Sequence, residues 1–389
     1  MVRALLALLA LLALVALATT LLAASGESAH DAPHASELPS GFPAPLVPAD
    51  NPMTPVKVEL GRLLFHDPRL SGNGELACSG CHRPELAYTD GRARAVGTTG
   101  EEHPRSAMSL ANVAYAATLG WDDPTLTRLE DQALVPLLNE HPVEMGVRGR
   151  EQKVLARLRR DPTYRELFGQ AFPESAEPFT LDNVTRALAS FERTLISGNS
   201  PYDRWAYRGE VDSLTPRARA GAALFFSRRL SCFNCHAGFS LSGSVVHEDA
   251  EPAEPVFHNT GLYNLDGQGA YPEPNTGAQR VTGRPDEMGK FRAPTLRNVA
   301  LTAPYMHDGS LATLEEVLDH YAAGGRAIAT GPQAGDGRAS PLKDPLIAGF
   351  ELSPEERAAL IAFLHALTDE SFVERARSLA PDRARRPEK

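Results

Sequence analysis

The sequence predicts an all-α protein of two similar units, each built around one covalently attached group, on three observations. All four Cys fall in two copies of one five-residue motif, Cys78-Ser79-Gly80-Cys81-His82 and Cys232-Phe233-Asn234-Cys235-His236. A longer pattern precedes each copy: Gly61, Leu64-Phe65 and Arg69-Leu70-Ser71 recur 160 residues later as Gly221, Leu224-Phe225 and Arg229-Leu230-Ser231. Helix-start signals are frequent along the chain, while strand signals are weak.

The elements follow in order. Residues 1–24 carry one cation, Arg3, then a long Leu/Ala run and small residues around Ala23, Ala24 and Ser25. That is the pattern of a cleaved secretory signal peptide. If it were retained, the apolar run is long enough to anchor the chain in a membrane. The mature protein is therefore expected in the periplasm. A first unit is expected over 25–200 and a second over 201–372, with the boundary near 198–214 and a charged, frayed tail over 373–389. Thr180 can cap a helix whose Leu181, Val184, Leu188, Phe191 and Leu195 form one apolar stripe. Thr215-Pro216 opens the helix before the second Cys motif. Thr313 with Glu316 and Ser353 with Glu356 match capping boxes, the latter starting a helix to about Leu367. The Gly- and Pro-rich stretch 237–287 reads as ordered loops over a cofactor.

Composition narrows function. The 389 residues carry a formal charge of −10, which argues against nucleic acid as a partner. In an exported chain four Cys would ordinarily suggest two disulfides, but C-x-x-C-H is the attachment signature of c-type haem. The two thiols can form thioethers to the haem vinyl groups, and the adjacent His presents its imidazole to the iron. A dithiol redox pair needs no following His, and a zinc site made from both pairs gives no cause for His at the same place twice. Two covalent haems follow, with Cys78, Cys81 and His82 holding the first and Cys232, Cys235 and His236 the second. The repeat supplies each haem with the same entrance: a helix with an apolar face, a short basic turn, then the attachment Cys.

With these units the sequence resembles the bacterial di-haem cytochrome c peroxidase and MauG superfamily from about Leu60 to Thr368. The most specific stretches are Phe291-Arg292-Ala293-Pro294-Thr295-Leu296-Arg297-Asn298-Val299, Ala303-Pro304-Tyr305-Met306-His307-Asp308-Gly309, and Trp121 to Met145. Asp90 to Gly97 and Ala189-Ser190-Phe191-Glu192-Arg193-Thr194-Leu195 look most like MbnH-type members, which are associated with bacterial copper homeostasis. The resemblance implies that Trp121 relays electrons between the haems. It implies that Gln132 and Glu144 form the distal pocket of the first haem, with Glu140 a lesser candidate because Glu140-His141 lengthens the turn before Pro142. A carboxylate suits that place, since breaking the O–O bond of peroxide requires a proton to move from one oxygen to the other. For the sixth ligand of the second haem, Met288 is favoured, Met306 is the alternative and Tyr271 a distant third. His307 and Arg297 are candidates for the haem propionates.

Two departures from the family pattern bear on mechanism. Members that need reductive activation carry a distal His before the Trp block, where this chain has Gly97-Thr98-Thr99-Gly100-Glu101-Glu102-His103, and the words around His103 do not match. A calcium ion usually lies between the haems, yet Ser106 replaces the expected Asn, with Asn112 nearby. The resemblance thus implies an oxidase that uses hydrogen peroxide to reach a charge-shared state with both irons as Fe(IV), then oxidises a partner protein, for instance at a Trp side chain. The alternatives are a cytochrome c peroxidase fed by a small redox protein, and a non-enzymatic di-haem electron carrier.

Overall fold

The computed structural model describes residues 38–250 and 255–380; the expected signal peptide over 1–24 and the end of the tail, 381–389, lie outside them. Helices dominate, and the strands are two short antiparallel pairs, β1 (Phe257–His258) with β2 (Phe291–Arg292) and β3 (Ala327–Ile328) with β4 (Gly335–Asp336). Among the described residues no helix is long and apolar enough to cross a membrane.

The repeated sequence folds as a repeated helix pair. Helix α1 (Pro55–Phe65) starts at Thr54, whose hydroxyl accepts from Lys57 N–H. Helices α2 (Leu129–Leu138), α3 (Glu151–Arg159) and α4 (Pro162–Ala171) follow, then α5 (Leu181–Glu192), capped by Thr180. In the second half, α6 (Pro201–Arg208) and α7 (Pro216–Phe225) precede α8 (Leu314–Ala322) and α9 (Pro354–His365). Ser353 and Glu356 form the expected capping box of α9. At α8 only half of the expected box forms: Thr313 accepts from Glu316 N–H, but the Glu316 carboxylate turns to Ala312 N–H.

Helix α1 packs on α5, and α7 packs on α9 in the same way. A Cβ on Gly61 would stand 1.9 Å from the Ala187 carbonyl oxygen, and one on Gly221 would stand 1.9 Å from that of Ala359. Glycine at both places lets the backbones touch. Just beyond each contact, Phe65 meets Phe191 with ring centroids 5.3 Å apart, and Phe225 meets Phe363 at 5.2 Å.

Two hydrophobic cores result. One gathers Leu60, Leu64, Phe65, Leu188 and Phe191 with neighbours from α3 and α4; the other gathers Phe225, Leu230, Leu318, Leu360 and Phe363. The frayed tail expected from residue 373 is corrected here. Residues Glu370–Leu379 form α10, which buries Phe372, Val373 and Ala376 in the first core. Its apolar positions form a narrow stripe among charges, too sparse to stand out in the sequence, and they return this segment to the first unit.

Replacing Gly221 with Ala should force α7 away from α9 and cost ~1–3 kcal/mol of stability, read as a lower denaturant midpoint. Gly169→Ala in α4, where a new Cβ meets nothing within 4 Å, should instead stabilise by ~0.5–1 kcal/mol.

Candidate haem cavities and the bridge between them

Each Cys motif forms a short turn at the wall of a cavity. His82 Nδ1 lies 2.9 Å from the Tyr88 carbonyl oxygen, and His236 Nδ1 lies 3.3 Å from that of Leu241. A ring nitrogen facing a carbonyl must donate, which leaves Nε2 unprotonated and able to ligate a metal. Burial lowers the proton affinity of both imidazoles, His236 to about 4, so both are neutral. Tyr88 and Leu241 have φ of 64° and 49°. Left-handed backbone at two non-glycine residues is uncommon, and here it turns each carbonyl towards its His. All four thiols are free of disulfides.

The first cavity is bounded by Phe65, Cys78, Cys81 and His82, with Gln132 and Glu144 among the residues lining it. Gln132 comes from α2, while Glu144 sits on the turn after it. Thr98 N–H donates to the Glu144 carbonyl at 2.8 Å, and Gly97 lets that strand approach, since a Cβ there would meet the Val143 carbonyl at 1.9 Å. Burial pushes the Glu144 carboxyl up to about 7, opposed by the positive charge of Arg105 and a hydrogen bond from Asn139. Glu140 lies outside the cavity, exposed and paired with Arg148 at 3.5 Å. His103 does line the cavity. Its Nδ1 lies 3.1 Å from Arg105 N and 3.3 Å from the Arg105 carbonyl oxygen, so the backbone of that residue holds the ring in place. Burial holds it near pKa 4 and hence neutral.

Sequence reasoning gave Glu192 no role, although it falls in a stretch carrying the resemblance. Its carboxyl lines the first cavity, Oε2 has no hydrogen-bond partner among the described residues, and burial pushes its pKa to about 8.

The second, larger cavity is lined by Cys232, Cys235 and His236, by Phe225, and by Trp121 from the first half of the chain. Met306 also lines it, whereas the favoured Met288 does not. Met288 follows a short helical turn and uses its carbonyl to accept from Asn259 Nδ2. Met306 adopts φ of 69°, a left-handed conformation at a non-glycine residue. This corrects the preference for Met288. Tyr271 lines the cavity too, but its hydroxyl donates to Asn259 Oδ1 and accepts from Leu262 N–H.

Arg297 is also displaced from its expected role. It lies outside the cavity lining, deeply buried, with Nη1 2.7 Å from Asp203 Oδ2 and its other donors on the Phe239 carbonyl. Arg292, given no role from sequence, is a buried cation on the wall of this cavity. It donates to the Gly120 carbonyl at 3.2 Å and has no ion pair among the described residues. Burial lowers its pKa to about 10. A buried guanidinium without a counter-ion is costly, and a haem propionate is an anion of the right kind for this wall. His307 lies on the same wall, stacked on Phe291 at 3.7 Å with Nε2 unpartnered. The residues present therefore fit a haem in each cavity: paired thiols, an imidazole with free Nε2, apolar walls, and in the second an uncompensated cation.

The same test does not support calcium. Asn112 spends both polar side-chain atoms on Ser197, donating to its carbonyl and accepting from its N–H. Ser106 Oγ donates to the Met306 carbonyl. No group of three His, Cys, Asp or Glu poised for a metal occurs among the described residues.

Trp121 is held from both halves. Its Nε1 donates to the Ser106 carbonyl at 3.0 Å, and its carbonyl accepts from Arg292 N–H at 2.9 Å. Next to it, buried Asp122 is gripped by Arg105 from the first half at 2.9 Å and Arg280 from the second at 3.0 Å. Thr89, which follows the carbonyl partner of His82, also lines the second cavity, so that cavity reaches the proximal side of the first.

Comparison with known proteins agrees with this geometry. Residues 55–212 match the family described as di-haem cytochrome c peroxidase. The methylamine utilization protein MauG of Methylorubrum extorquens is 37% identical over 325 residues, covering 83% of this chain and 81% of that protein. The cytochrome-c peroxidase IdrP1 of Denitromonas iodatirespirans is 36% identical over 343 residues, covering 83% and 84%. A crystal structure of a MauG-like protein associated with microbial copper homeostasis superposes with a TM-score of 0.85 at 50% identity, covering 87% of this chain and 96% of that one. On these similarities the chain belongs to the di-haem cytochrome c peroxidase family, which includes MauG and whose members are oxidoreductases that act with peroxide.

Proposed function

We propose that this protein is a periplasmic di-haem oxidase that takes two oxidising equivalents from hydrogen peroxide, shares them between its haems, and uses them to oxidise a partner protein at a side chain such as Trp. In this reading residues 25–200 carry the peroxide-reactive haem on Cys78, Cys81 and His82. Residues 201–372 would hold the electron-transfer haem on Cys232, Cys235 and His236, and Met306 on the same cavity wall would offer it a thioether. The haems supply the redox chemistry, and the chain sets ligation, spacing and access.

The observation that carries the reading is the first cavity. Glu144 faces it with a carboxyl that titrates near neutrality, the range in which a group both takes and returns a proton. As the carboxylate it removes a proton from peroxide; as the acid it delivers that proton to the departing oxygen. Gln132 orients the peroxide by hydrogen bonding. The residues around His103 do not match those of members that need reductive activation, which supports a peroxide side open without a prior reduction step. Trp121, fixed by Ser106 and Arg292, couples the two centres. Similarity to IdrP1 favours a second reading at almost the same identity: a cytochrome c peroxidase in which a small redox protein supplies the electrons and water is the product.

Peroxide titration of the fully oxidised protein separates the two. One equivalent should remove the ferric EPR signals of both haems without prior reduction, and Trp121→Phe should confine the loss to one haem. A requirement for reduction first, with fast turnover of a reduced cytochrome c, would overturn the oxidase reading. Because the Glu144 pKa is raised from 4.5 to about 7, its base form grows as pH rises through 7. The rate of the peroxide step should therefore rise across that range in stopped-flow measurements, and Glu144→Gln should lower the rate by ~10²–10⁴-fold and flatten the profile. Met306→Ala should change the ligation spectrum of the second haem and lower its midpoint potential, since thioether ligation raises it, while Met288→Ala should change neither.

A further inference from the structure

Outside the cavities, the surface built by α6 and α7 combines three features. The first is a packed series of rings leading outward from the second cavity. Phe225, on the cavity wall, meets Phe363 at 5.2 Å; Phe363 meets Tyr202 at 5.4 Å; and Tyr202 meets Trp205 at 6.2 Å. Tyr202 is buried, and Trp205 is partly open to solvent. These last two rings are the ones that can give up an electron readily, and they lie on the outward end of the series. The second is exposed apolar surface beside them: Phe226 is 37% exposed and stacked 6.2 Å from Tyr202, and Val211 is 57% exposed.

The third is charge. The whole chain carries −10, yet this surface is rich in arginine. Arg208 follows Trp205 by one helical turn. Arg219 precedes Phe226 by two turns on the same face of α7. Arg228 is exposed at the mouth of the second cavity. None of these three, nor Arg217, forms an ion pair among the described residues, whereas Arg204 and Arg229 are paired with Glu210 and Glu356. Unpaired cations around an apolar, redox-active centre, on a protein of opposite net charge, attract and orient a complementary surface. Exposed aromatic and apolar groups at the centre of such a ring supply the contact area.

We propose that this arginine-bordered face docks the partner protein through an acidic surface of that partner, and that Trp205 and Tyr202 carry electrons from it to the second haem. The proposal rests on the function above and names the partner chemistry and route that it needs. One hydrogen peroxide accepts two electrons and two protons and leaves as two waters. Those electrons come from the docked protein in two single transfers through Trp205 and Tyr202, each of which returns to its reduced form.

The test uses the full holoprotein with two probes, a reduced acidic c-type cytochrome and a reduced basic one. Calorimetry at low ionic strength should show that the acidic probe binds, that added salt weakens it, and that Arg208→Glu with Arg219→Glu reduces its affinity by tenfold or more. The basic probe should not lose affinity in the same variant. Trp205→Phe should leave the affinity of the acidic probe in place and slow electron transfer from the bound probe by tenfold or more in stopped flow. Circular dichroism melts of each variant report whether the fold is retained. Unchanged affinity after charge reversal, or a wild-type dimer that the reversal dissociates, would overturn the docking surface. An unchanged transfer rate in Trp205→Phe would overturn the route. Peroxide titration of the wild-type protein without any probe tests the underlying function separately, so its failure is told apart from failure of the docking face.

Discussion

Two close helix crossings hold this molecule in shape. Where α1 meets α5 at Gly61, and where α7 meets α9 at Gly221, backbone touches backbone with no side chain between them. Each crossing sets the distance from the helix end to the Cys-bearing turn, and it places Phe65 or Phe225 against the cavity that the turn closes. Interiors this tightly packed respond to a single added methyl group. The duplicated sequence is thus a duplicated packing constraint, and the two attachment sites inherit the same geometry from it.

The two units are then locked together by polar contacts. Asp369 accepts from the N–H groups of Gly198 and Asn199, Asn298 donates to Ser197 Oγ, and α10 crosses back into the first core. Asp122 binds one arginine from each half beside Trp121. Buried charges need partners, and here that need fixes the indole on the wall of the second cavity. The relay role proposed for Trp121 requires a constant distance to both centres, and the cross-linked Asp122 makes any change in its position expensive.

The cavities differ in charge, and the difference separates their chemistry. The first is lined by Glu144 and Glu192, both kept partly or wholly protonated by burial, and by a neutral His103. That is a supply of movable protons. The second holds the unpaired cation Arg292 and the neutral His307, with no carboxyl group on its wall among the described residues. It suits a group that stores and passes electrons, and its outer face carries the unpaired arginines. In the proposed reaction, proton chemistry and electron traffic are kept at opposite ends of one path.

Much of this was legible in the residues themselves. The C-x-x-C-H motifs, the 160-residue repeat and the caps at Thr180, Thr215 and Ser353 depend on spacings of a few residues, and local spacing constrains covalent attachment and helix starts directly. Glu144 and Gln132 were named through the resemblance, and the fold brings both to the first cavity. Tertiary structure alone decided that Met306 lines the second cavity while Met288 does not, that Arg297 is spent on Asp203 while Arg292 is left uncompensated, and that α10 is core. The direction of Met306, like the carbonyls of Tyr88 and Leu241, depends on left-handed backbone at non-glycine residues, which no local preference announces. Such conformations persist only where surrounding contacts hold them, and some of those contacts come from distant parts of the chain, as Ser106 to Met306 and Phe372 to Tyr88.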